Sequence, residues 1–103
     1  MVQSKNLKTQ LGPLKVIWAP WVKNDKGLNV MGLFNSFNYE IAIDDTIAHG
    51  IKRQTLLHEL IHVLQYNAGL KFNEQQADTL ASGLYDLFVR NPKLIEFIME
   101  KEK

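Results

Sequence analysis

The chain has 103 residues, 46% hydrophobic and 22% charged, which bounds it to one small globular domain with a modest core. Twelve basic residues against 11 acidic ones give a net charge of +1, so electrostatics offer no case for nucleic acid or an anionic membrane. Without cysteine, disulfides and thiolate metal sites are excluded, and any metal must rest on histidine and carboxylates.

Residues 1–13 are polar and read as a flexible lead without the apolar core of a signal peptide. No run approaches the ~18 apolar residues of a membrane helix, so the default expectation is a cytoplasmic protein. Residues 14–22 have strand composition in their first half, and Pro20 marks an edge or a bend. Residues 23–27 contain Asn24, Asp25 and Gly27 and read as a turn. Residues 30–34 suggest a second short strand, closed into a hairpin by residues 35–38. The clearest strand is 39–44, with Tyr39, Ile41 and Ile43 on one face and Glu40 and Asp44 on the other. Trp18, Trp21, Phe34 and Phe37 are expected in the core or on the sheet face.

The stretch 51–67 then reads as an amphipathic helix, free of proline and glycine, with Leu57, Leu60, Ile61 and Leu64 at helical spacing. It carries His58-Glu59-Leu60-Ile61-His62. Histidines four residues apart stack on one helix face with Cβ atoms about 5–6 Å apart, close enough to share one zinc ion. Glu59 lies about 100° further round the helix, off the ligand face but within reach of a water beside the metal. His49, nine residues earlier, is expected to be exposed or to cap the helix.

Gly69 fits a helix C-terminus. Asn73 and Gln76 form a capping-box pattern that opens a second helix running to about Arg90. Asn91-Pro92 breaks it, and a last helix follows with Leu94, Ile95, Ile98 and Met99 on one stripe. The short link between the two long helices implies an antiparallel pair. The expected fold is α+β: an antiparallel sheet of about three strands packed on this helix pair, plus the C-terminal helix. A catalytic zinc takes three protein ligands and leaves one position open. The second helix offers Glu74, Asp78 and Asp86 for the third.

His58-Glu59-x-x-His62 followed by Asn73-Glu74-x-x-Ala77-Asp78 resembles the gluzincin metallopeptidases. The short length is most similar to minigluzincins and phage-associated members of the ImmA/IrrE group. The resemblance implies one Zn2+, held by His58, His62 and Glu74, with Asp78 holding a ligand histidine. Simple antiparallel pairing about Gly69 or Leu70 instead brings residues 77–78 opposite His62, which keeps Asp78 open as the alternative ligand. Glu59 is then the general base for hydrolysis of a peptide or protein substrate. Tyr39, Tyr66, Tyr85 and His49 are candidate oxyanion donors. A substrate strand is expected to add to the sheet edge near residues 40–44. The rival reading is a latent or non-catalytic zinc-binding regulatory module of a phage or mobile element, with residues 92–103 as a candidate lid.

Overall fold

A computed structural model describes residues 3–100. The chain runs β1 (Gln3–Thr9), β2 (Gly12–Ala19), β3 (Gly32–Asn35), β4 (Glu40–Asp44), α1 (His49–Ala68), α2 (Glu74–Arg90) and α3 (Leu94–Ile98). The class is α+β as expected, but the sheet has four strands rather than about three, and it is mixed rather than antiparallel. Its order is β1-β2-β4-β3. β1 pairs antiparallel with β2, β2 parallel with β4, and β3 antiparallel with β4. The extra strand is β1, formed from the residues that read as a flexible polar lead. It is polar because most of it overhangs solvent, and only Leu7 packs on the core.

The parallel β2–β4 pairing has a consequence for function. It places β4 in the sheet interior, so residues 40–44 are not the free edge that substrate addition requires. That edge belongs to β3. Met31 O accepts from Asp44 N–H at 2.9 Å. By the alternation of an antiparallel ladder, the backbone groups of Gly32 and Phe34 then face away from β4.

Leu14 and Val16 of β2, Ile41 and Ile43 of β4 and Val63 of α1 form the buried core under the sheet. Period-two burial in both strands puts these side chains on one face, where α1 covers them. Trp18 and Phe34 pack against this core, but Trp21 and Phe37 are 68% and 95% exposed. Both correct the expectation of burial, and both sit in turns. Trp21 follows Pro20 with a left-handed φ of 58°. Phe37 lies where Asn35 Oδ1 accepts from the Phe37 and Asn38 N–H groups.

Ile61 of α1 with Ala77 and Ala81 of α2 forms a second buried cluster. The alanines let the two helix axes approach closely. His62 meets Glu74 while His58 meets Asp78, so the helices run antiparallel. Gly69 ends α1 in the left-handed conformation, and Leu70 N–H reaches back to Gln65 O. Among the described residues no helix is long and apolar enough to cross a membrane.

Candidate metal centre

Two local signals set the site. α1 is apolar on two sides, with Val63, Leu56 and Leu60 on the sheet core and Ile61 and Leu57 against Ala77 and Ala81, and this double packing turns His58 and His62 together toward α2. At the start of α2, Asn73 Oδ1 accepts from Gln76 N–H at 2.8 Å, and Gln76 Oε1 accepts from Asn73 N–H at 2.9 Å. This capping box makes Glu74 the first residue of α2, and the packing of Ala77 and Ala81 on Ile61 sets where α2 lies along α1.

The side chains converge. His58 Nε2 lies 3.0 Å from Glu74 Oε2, and His62 Nε2 lies 3.0 Å from Glu74 Oε1. The two Nε2 atoms are 3.2 Å apart. A tetrahedral zinc with ligand bonds of about 2.0–2.1 Å separates its ligand atoms by about 3.3 Å. The two nitrogens have that spacing, with one Glu74 oxygen beside each, and with one donor atom apiece lying within 4.8 Å of the others His58, His62 and Glu74 could hold a metal ion. Two imidazole nitrogens and two carboxylate oxygens this close repel unless a proton or a cation lies between them.

The far side of each ring is also engaged. His58 Nδ1 meets Asp78 Oδ1 at 2.9 Å, and His62 Nδ1 meets Gln65 Oε1 at 3.2 Å. With a cation at the two Nε2 atoms, each ring proton would sit on Nδ1, where Asp78 and Gln65 offer acceptors. Asp78 is thus in contact with the back of a histidine, while Glu74 occupies the position of third donor. Pairing about the loop centre alone brought Asp78 opposite His62. The helices lie about one turn from that register, and the long Glu74 side chain covers the rest.

Glu59 points elsewhere on α1, toward β3, and is only 7% exposed. Burial pushes its carboxyl above the ordinary value. Positive charge on His58 or His62 pulls it down, Glu74 pushes it up, and the Phe34 N–H pulls it down. Gly32 explains how the strand comes so near. A Cβ there would lie 2.6 Å from Thr55 Cγ2 and 3.2 Å from both Cγ and Oε2 of Glu59. Only glycine lets β3 press against α1 at this point.

Two clefts flank the cluster. One, of about 500 Å³, includes His58, and the other, of about 750 Å³, includes His62. Both are lined by Val30, Gly32, Glu59 and Glu74, so they form one trough beneath the free edge of β3. A larger hollow of about 830 Å³ lies between β1, β2 and the helices. Its lining is mostly leucine and isoleucine, with Lys8 as the one titratable group.

Of the four candidate oxyanion donors, Tyr66 lines the wider cleft and is half exposed. Tyr39 lines neither cleft. Its hydroxyl is engaged with Thr9 Oγ1 at 2.7 Å and donates to Asn67 Oδ1 at 2.9 Å. Tyr85 and the exposed His49 also line neither. No residue of 92–100 lines either cleft, so α3 does not cover the site here. Asp86 pairs with Arg90 on the surface of α2.

Gln65 and Gly32 were not singled out from sequence. Gln65 stands three residues after His62, the spacing at which helix side chains meet. A glycine inside a short strand signals a close backbone approach. No family model matches the chain, and no curated protein and no solved structure matches it.

Proposed function

We propose that this protein is a zinc-dependent peptidase of the gluzincin kind, with His58, His62 and Glu74 as metal ligands and Glu59 as general base. The single observation that carries the reading is the joint placement of these groups. Two imidazoles and a carboxylate from the next helix converge to within 4.8 Å, and the buried carboxylate of Glu59 lines the same trough on both sides. When bound, zinc supplies Lewis acidity that polarises a carbonyl and brings the pKa of water toward about 7.

The chain's own groups account for the remaining steps. Glu59 takes a proton from the attacking water on a carboxylate oxygen and returns it to the departing amine. Its raised proton affinity, caused by burial, suits a group that must hold that proton between the two transfers. Asp78 and Gln65 keep both ligand rings in one tautomer and one orientation. An extended peptide adds to β3, where Gly32 turns its backbone N–H and C=O toward the trough and has no side chain to block it. Tyr66 is the candidate oxyanion donor favoured by its place in the cleft wall.

The test is zinc content and peptide-library cleavage for the wild type beside Glu59→Gln. Both proteins should retain the metal, and cleavage should fall by about 10²–10⁴-fold in the variant. Equal cleavage by the two would refute the role of Glu59. Zinc retained by a wild type that cleaves no peptide would point instead to a metal-binding regulatory module.

A further inference from the structure

The two ligand histidines are held by chemically different partners. Behind His58 stands the carboxylate of Asp78, which can only accept hydrogen bonds when ionised. Behind His62 stands the amide of Gln65, which both accepts and donates. We infer that Gln65 has two roles: its Oε1 positions His62, and its NH2 group donates to a backbone carbonyl of a peptide bound in the wider cleft. This inference rests on the zinc-peptidase reading and adds a residue that contacts both ligand and substrate.

The amide orientation follows from the histidine. If Nε2 of His62 faces a cation, the ring proton is on Nδ1, and that N–H must be accepted. Gln65 Oε1 lies 3.2 Å away and is the acceptor, one helical turn along α1. With the oxygen committed to His62, the NH2 end of the same planar amide points away from the ring. Gln65 is half-buried and lines the wider cleft together with His62, Tyr66 and Glu74. Among the described residues no buried side-chain nitrogen lacks a partner, and none of the hydrogen bonds found uses the NH2 of Gln65. The group is therefore solvent-accessible, on a residue that lines the cleft. A peptide presents one carbonyl per residue, and a donor fixed beside the metal ligands is placed to receive one. On the His58 side the corresponding group is acceptor-only, so the two sides of the trough differ in what they ask of a peptide backbone.

Two near-isosteric variants separate the roles. Gln65→Glu keeps an acceptor for His62 and loses the donor. Gln65→Leu loses both. The measurements are zinc affinity by chelator competition, the visible spectrum of the cobalt(II) form, and KM and kcat on a cleaved peptide. Gln65→Glu should bind zinc at least as tightly as wild type and show KM raised about 3–10-fold, the scale of one lost hydrogen bond. Gln65→Leu should bind zinc about 10–100-fold more weakly, with an altered cobalt spectrum, and a metal-free melting temperature near wild type would confirm that it folds. Wild-type zinc affinity and spectrum in Gln65→Leu would overturn the positioning role. Wild-type KM in Gln65→Glu would overturn the donor role. A wild type that binds no zinc would fail the parent reading itself, an outcome distinct from either.

Discussion

Gly32→Ala tests whether the contact of β3 with α1 is as tight as the geometry requires. The added Cβ would stand 2.6 Å from Thr55 Cγ2. That is about 1 Å short of the ~3.5–4.0 Å optimum between carbon atoms. Neither neighbour yields easily. Thr55 is 8% exposed and β-branched, and Glu59 is 7% exposed. Overpacking of this kind costs about 1–3 kcal/mol. For a chain of this size each kcal/mol moves the melting temperature by about 4–8 °C, so the drop should fall between about 4 and 24 °C. Thr55→Ser removes the offending methyl and should relieve most of the clash. A double-mutant cycle by thermal or urea unfolding should then give a coupling of about 1–2 kcal/mol in favour of the pair. Strict additivity within about 0.5 kcal/mol would show that the two residues do not meet as described. The contacts at 3.2 Å to Glu59 should persist in the double variant, so cleavage should recover less than stability does.

Two further outcomes follow from the same site. In the metal-free protein, burial holds the Glu59 carboxyl above its ordinary 4.5. A raised folded-state value means that this group's contribution to stability is full below about pH 4.5. It is lost as the pH climbs through the raised value. Unfolding of the metal-free protein across that range should therefore show a decline that Glu59→Gln lacks, and parallel profiles for the two would contradict the burial of the charge. Asn73→Ala removes one half of the capping box and should cost about 0.5–2 kcal/mol. Because Glu74 is the next residue, zinc affinity should fall with it, measured by chelator competition. An unchanged affinity would mean that the helix start does not set the third ligand.

The helix pair and its donors were legible because their signals are local. His58, Glu59 and His62 lie within two helical turns, and Asn73 with Gln76 marks the start of α2 within four residues. The choice between Glu74 and Asp78 was less legible from residues alone, since it depends on how far one helix slides along the other. Sheet topology was not legible. The parallel pairing of β2 with β4 joins residues 25 positions apart, as in Lys15 with Glu40, and no local pattern encodes it. β1 escaped notice because six of its seven residues are polar, and it is a strand only because β2 offers seven paired positions. Trp21 and Phe37 show the reverse error, in which hydrophobicity suggests burial while turn geometry keeps the ring outside. Gly32 and Gln65 act through contacts that exist only once β3, α1 and the clefts are assembled.

Zinc bound per chain, measured by elemental analysis after exhaustive dialysis of untagged protein, tests the central claim most directly when wild type, Glu74→Ala and Asp78→Ala are compared. The account predicts one equivalent in the wild type, near-complete loss in Glu74→Ala, and retention with weakened affinity in Asp78→Ala. No zinc in the wild type, or loss in Asp78→Ala with full retention in Glu74→Ala, would contradict it.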